Sequence, residues 1–263
     1  METYSKVALF GGVYNNYLAL ECLLKDCEKV GVDAIFCLGD MGGFGPHPDR
    51  SFPYLRNGQI RSMAGNYDIS LAQGKEDCGC GYTDPRDNHF AQISYEYTFE
   101  NTAPENKSWL GTLPPSLRFA LGPLQVELCH GSPRQTNEFL WKSASPEHLL
   151  FKFTQECNAE VVCCTHTGIK WHRALAQGRH FFNVGVIGRP ENDGATNVWY
   201  TLLEYEGRKL KWGFRPLHYD HEVLVKEMER EGLPEPFITT TRSGWWTTCL
   251  EIMPAKERAC GLY

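Results

Sequence analysis

The chain has 263 residues, 42% of them hydrophobic and 22% charged, an ordinary globular composition with ample length for one large domain and a buried core. A formal net charge of −6 excludes the broad positive face that a nucleic-acid backbone requires, so no nucleic-acid polymer is expected as a partner, while a local basic pocket for a small phosphate stays compatible with it. Met1 to Phe10 carries one lysine and no long apolar run, and no stretch approaches the roughly 20 apolar residues that cross a bilayer, so the expectation is a cytoplasmic protein without a membrane partner.

Lys6 to Phe10 is a β-rich run followed by Gly11-Gly12, a strand and then a loop. Asn15 and Asn16 can cap a helix in which Leu18, Leu20, Leu23, Leu24 and Cys27 recur at helical spacing, and Gly31 closes it. Ala34 to Leu38 is a second strand ending at Gly39-Asp40. A Gly/Pro loop over 41–49, a short helix from Ser51 to Leu55 and a third strand from Gln59 to Met63 follow, the last running into Gly65-Asn66. Strand, helix, strand, helix, strand is an α/β pattern, with function expected at the carboxyl ends of the strands.

Residues 70–108 are polar, with no clear period, and read as a Cys-containing loop covering the active site. A helical turn from Lys107 to Leu113 is stopped by Pro114-Pro115. Leu117 to Phe119 and Leu124 to Cys129 form a hairpin about Gly122-Pro123, ending at His130-Gly131. Pro146 to Cys157 reads as helix, Glu160 to Cys164 and His180 to Val184 as strands, and Val198 to Tyr205 with Lys209 to Arg215 as a hairpin turning at Glu206-Gly207. The domain is placed at 1–219. Residues 220–263 are read as a charged helix, Asp220 to Glu231, and a tail packed on the domain, with Trp245 and Trp246 as core rather than interface residues. Nothing in the sequence sets an oligomeric state.

Eleven cysteines, an odd number, and no export signal argue against a disulfide framework. Cys163 and Cys164 end the apolar run from Val161 and are read as strand hydrophobes. Cys78 and Cys80 sit in a polar, Gly-rich stretch, where structural and functional readings both stand.

Four polar signals follow strands: Gly39-Asp40, Gly65-Asn66-Tyr67-Asp68, His130-Gly131-Ser132-Pro133 and Thr165-His166-Thr167-Gly168. An Asp, an Asn and two His together suit a borderline divalent metal. The series Gly-Asp, Gly-Asn-x-Asp, His-Gly and x-His-Thr-x resembles the motif order of the calcineurin-like metallophosphoesterases. The segment Gly39-Asp40-Met41-Gly42-Gly43-Phe44-Gly45-Pro46 is similar to that family's GDxxGxGP loop, and Asn183-Val184-Gly185 matches its Asn-Pro-Gly. The resemblance spans roughly residues 5–215 and implies a four-layer α/β/β/α sandwich.

Carried over residue by residue, the resemblance implies metal ligands at Asp40, Asn66, His130 and His166. The family's N-terminal Asp and His fall on Gly12 and Tyr14, and the second His of its last motif falls on Gly168. These are the exclusive ligands of one of its two metals, so the resemblance implies one divalent transition metal per chain, Zn, Mn or Fe. The family's catalytic histidine falls on Tyr67, a poorer acid, and Asp68 takes a ligand-orienting position. Arg134, and with less weight Lys170, His172 and Arg173, are candidates for the charge of a phosphoryl group. Tyr14 either lines the vacated half-site or fills it.

The function implied is a metal-dependent hydrolase of a small phosphorylated substrate, a phosphomonoester or nucleotide-like phosphodiester. Two other readings stand beside it: a non-catalytic metal- or ligand-binding protein, and a repurposed metalloenzyme in which Cys78, Cys80 or His89 from 77–89 rebuilds the second metal.

Overall fold

The computed structural model describes residues 1–259. In chain order the elements are β1 (Thr3–Tyr4), β2 (Lys6–Phe10), α1 (Tyr17–Val30), β3 (Ala34–Cys37), α2 (Phe52–Leu55), β4 (Ile60–Ser62), α3 (Asn66–Gln73), α4 (Pro85–Asn101), α5 (Pro104–Leu110), β5 (Leu117–Leu121) and β6 (Leu124–Leu128). Then come α6 (Glu147–Glu156), β7 (Val161–Cys164), β8 (Trp171–Ala174), β9 (His180–Asn183), β10 (Val198–Glu206), β11 (Lys209–Leu217), α7 (His221–Arg230), α8 (Glu235–Ser243) and α9 (Ala255–Arg258).

Two mixed sheets face each other. One runs β1-β5-β6-β7-β9-β8 and the other β11-β10-β2-β3-β4. Strands β2, β3 and β4 are mutually parallel, as are β6, β7 and β9, so their carboxyl ends point to one edge of the molecule. Alternation along each strand sorts the core into layers. Val7, Leu9, Phe36 and Leu38 meet Phe119, Val126, Val161 and Phe182 between the sheets, and the Phe36 and Phe119 rings stack at 4.6 Å. The opposite faces pack on helices: Ala8, Phe10 and Cys37 on α1 through Leu20 and Leu23, and Val162, Cys164 and Phe181 on α6 through Leu150 and Phe153. This is the expected four-layer α/β/β/α sandwich. Cys163 and Cys164 are fully buried strand residues, as their apolar context predicts.

Helix α1 starts where the Asn16 side chain accepts from the Ala19 N–H at 3.0 Å, and it ends in a left-handed Gly31. Two expectations change. Residues 70–108 are not an irregular loop: they carry α4 and α5, and only 74–84 and 102–103 lack helix or strand. Asp84 caps α4 by accepting from Arg86 N–H, and Pro85 starts it. The sequence hides this helix because its buried face is largely polar, with Asp87, Ser94 and Thr98 beside Ala91 and Tyr95.

Cys78 and Cys80 are joined in a disulfide, against the expectation of none; Gly79 turns the chain with φ of +61° and brings the two Cα atoms to 5.3 Å. The short edge strand β8 and the threonine-rich α8 are additional. Beyond residue 219, α7 and α8 join the helical layer on α1 through Leu224, Val225, Met228 and Phe237. Trp246 is buried in a separate cluster with Trp141, Cys249 and Met253, and Trp245 is half-buried. The predicted tail extends to 263, of which residues 260–263 lie outside those described. No helix among the described residues is long and apolar enough to cross a membrane.

Candidate functional site

The first two donors are set by the loops that leave β3 and β4. Asp40 has φ of +60°, and His166, after β7, has φ of +68°. Each such residue costs about 1–3 kcal/mol and persists where its surroundings hold it. Asp68 holds the Asp40 turn: its buried carboxylate accepts the backbone N–H of Asp40 and of Gly65, both at 2.8 Å, and of Met41 at 3.0 Å. Asn183 holds the other turn, donating to the Thr165 carbonyl at 2.8 Å and to Thr167 Oγ1 at 2.9 Å while accepting from Gly185 N–H.

These braces bring Asp40, His130 and His166 together with one ligand atom each inside a 4.8 Å span, all buried. His130 Nε2 lies 3.1 Å from Asp40 Oδ2 and 3.2 Å from His166 Nδ1. The other ring nitrogen of His130, Nδ1, is 2.6 Å from the Leu38 carbonyl, which fixes it as the donor and leaves Nε2 facing the cluster. Asn66, at the start of α3, donates through Nδ2 to the Cys78 carbonyl at 2.9 Å, while its buried Oδ1 has no hydrogen-bond partner among the described residues. A buried oxygen without a partner is costly, and a cation is one remedy.

The electrostatics suit a ligand set. Burial opposes the charge on Asp40, yet the His130 ring beside it holds its carboxyl below the usual range. Burial likewise opposes a charge on His130, and the Asp40 carboxylate outweighs it and raises the ring. Burial, and then the charge of His130, push His166 down to about 3, so it is neutral, as a metal ligand must be. For Asp68, burial and then the Asp40 charge push its carboxyl up to about 6. Two imidazole nitrogens, a carboxylate and an amide oxygen fit a divalent transition ion of the Zn, Mn or Fe type.

No protein-family profile matches the chain. An uncharacterized protein of Methanocaldococcus jannaschii is 23% identical over 245 residues, covering 88% of this chain and 95% of that one. A hypothetical protein of Pyrococcus horikoshii superposes with a TM-score of 0.76 at 19% identity, over 93% of this chain and all of that one. A metallophosphoesterase of Sphaerobacter thermophilus superposes with a TM-score of 0.68 at 23% identity, over 92% of this chain and 99% of that one. The chain has the metallophosphoesterase fold.

On that fold, the positions where the resemblance loses its ligands are filled by rings. A Cβ at Gly12 would lie 2.6 Å from Tyr14 Cζ, and one at Gly168 would lie 3.1 Å from Trp246 Cη2. Of the two alternatives for Tyr14, the structure has the ring filling the space. It is buried, and burial followed by the Asp40 charge raises its hydroxyl far above the ordinary value. Tyr67, set where the metallophosphoesterase resemblance puts a histidine, is buried too; its backbone N–H donates to Asp40 Oδ1 at 3.1 Å, but its hydroxyl meets Ser94 Oγ at 3.0 Å rather than the cluster. Burial raises that hydroxyl also.

The cations singled out by sequence are engaged elsewhere. Arg134 is exposed, paired with Glu138 and set over the Phe153 ring. Lys170 is paired with Glu191 and lies 3.7 Å from the Trp199 ring centre. Arg173 donates to the carbonyls of Lys142 and Ser145. His172 bonds His180 at 3.0 Å and lies against Phe182 and Trp212 at the sheet edge. His89 is exposed on α4 against Phe90, and Cys80 Sγ, 3.6 Å from Asn66 Nδ2, is bonded to Cys78. The cation that sequence reading missed is Arg189, only 6% exposed and walled by Trp246 and Phe44. Its one local signal is the Gly188-Arg189-Pro190 turn soon after Asn183.

Proposed function

We propose that the chain is a phosphoesterase-type hydrolase working with one divalent transition metal, Zn, Mn or Fe, held by Asp40, Asn66, His130 and His166. The observation that carries this reading is the buried Asp40–His130–His166 cluster, supported by the buried Oδ1 of Asn66, which has no hydrogen-bond partner among the described residues. Such an ion supplies Lewis-acid chemistry, drawing charge from a phosphoryl oxygen. The chain's own residues do the rest. His130 is kept in one tautomer by Leu38, and Asp68 and Asn183 hold the ligand turns. Filling of the Gly12 and Gly168 positions by Tyr14 and Trp246 supports a single ion rather than two. The substrate class is a small phosphomonoester or a nucleotide-like phosphodiester.

The test is metal content per chain on protein purified without chelator, followed by hydrolysis of an aryl phosphate and an aryl phosphodiester with Mn, Zn or Fe supplied. About one ion per chain is expected, with both ion and activity lost in His130→Ala. Two ions per chain would refute the single-metal centre. One ion without hydrolysis of either ester would leave a metal-binding protein on this fold.

A further inference from the structure

Arg189 follows β9 in the chain and is buried together with its charge. Its Nε and Nη2 are both buried and hydrogen-bond to nothing among the described residues. The guanidinium carbon lies 3.6 Å from the centre of the Trp246 ring and 4.9 Å from that of Phe44, so its two neighbours on those faces are π-systems. Cation–π contact recovers only part of what a guanidinium loses on leaving water. Nitrogens in the guanidinium plane remain without acceptors, and the geometry of that fork suits an oxyanion.

The side chain borders a cavity of about 20 Å³ that is also lined by Tyr14, His166, Thr167 and Gly168. These residues are one candidate metal ligand, one of its turn residues, and the ring and the glycine that mark the filled half-site. A buried positive charge with free donors therefore shares a cavity with the edge of the candidate metal centre.

We propose that Arg189 is a phosphate-binding residue, its Nε and Nη2 donating to the oxygens of a phosphoryl group held against the His166 side of the metal cluster. The inference rests on the hydrolase reading for its substrate class and goes beyond it in assigning the group that takes the phosphoryl charge. A fixed guanidinium thus supplies positive charge on the side where Tyr14 and Trp246 stand. The cavity has room for a water-sized group, so occupation by a phosphoryl group requires its lining, which includes Cys249 and Ile252, to yield.

The experiment is calorimetric titration of the full-length protein with inorganic phosphate, once with EDTA and once metal-loaded, for the wild type, Arg189→Met and Arg189→Lys. Thermal melts of each are run with and without phosphate. Wild type is expected to bind one phosphate per chain, with affinity reduced tenfold or more in Arg189→Met and less in Arg189→Lys. Phosphate should raise the melting temperature of wild type and leave that of Arg189→Met unchanged. Without phosphate, Arg189→Met should melt no lower than wild type, because it removes an unpaired buried charge.

Equal phosphate affinity in wild type and Arg189→Met overturns the inference and leaves the metal reading standing. Absence of phosphate binding by wild type in both states overturns it too, as does an equal loss of stability in Arg189→Met with and without phosphate. Arg189-dependent binding in a protein that takes up no metal keeps the inference and removes the metal.

Discussion

The carboxylate of Asp68 accepts the backbone N–H of Asp40 at 2.8 Å, so a residue on α3 fixes the main chain of a candidate ligand that follows β3. With Met41 and Gly65 bound to the same carboxylate, the two ligand loops are tied as one piece. Asp68→Asn puts an amide donor among three N–H groups and keeps the volume. The expected outcome is a metal affinity lowered about 10–100-fold with the fold retained, read by competition with a chromophoric chelator. Unchanged affinity would mean that the loops hold their shape without this brace.

Restoring ligands at the filled positions should fail. Gly168→His places a side chain against Trp246 at a φ of +79°, and Gly12→Asp runs into the Tyr14 ring. Each is expected to cost roughly 2–4 kcal/mol by chemical denaturation and to leave metal content at one ion per chain. A second ion bound by the double variant would show that the aromatic filling is easily displaced.

Sulfur is not expected at the metal. Cys78 and Cys80 are bonded to each other and offer no thiolate. The cobalt-substituted protein should therefore lack the intense charge-transfer absorption of a cobalt–thiolate bond, and Cys80→Ser should leave both spectrum and stoichiometry unchanged. A strong band that disappears in Cys80→Ser would return the cysteine-ligated reading.

Stability should depend on the charge of Asp87. Its Oδ1 accepts the Cys249 N–H at 2.7 Å, its side chain is buried, and Asp84 and Glu251 lie beside it. Burial, and then its contact with Glu251, push the carboxyl up to about 6, above the ordinary carboxyl value. The folded chain therefore takes the proton first, and the cost of burying the carboxylate is relieved as pH falls from about 6 towards 4. Relative to Asp87→Asn, wild type should gain on the order of 1 kcal/mol between pH 7 and pH 5 in urea denaturation. Parallel pH profiles for the two proteins would assign the effect elsewhere.

What can be read from sequence is what repeats locally. Strands β2 and β3 are short apolar runs followed by glycine, and the candidate metal donors follow strands in a recognisable order, so the fold and the Asp40, His130, His166 cluster are legible. Helix α4 is not, because Asp87, Ser94 and Thr98 supply much of its buried face and erase the apolar period. Arg134 stands out for its nearness to His130 in the chain, but a side chain four residues on reaches Glu138 instead. Beyond the Gly188-Arg189-Pro190 turn, nothing local marks Arg189 as buried. Its surroundings are Trp246 and Phe44, which are remote in sequence and meet it only in the folded chain.

The wall that Trp246 builds against Gly168 also has an order in time. A ribosome releases Asp40, Asn66, His130 and His166 before it releases Trp246, so the growing chain passes through a stage in which the donors are made and the indole is not yet in place. Ion uptake in that interval needs no displacement of the tail. Cell-free synthesis in the presence of the metal should then fill the centre faster than adding the same metal to the finished apoprotein, and equal rates would mean that the tail is no barrier to loading.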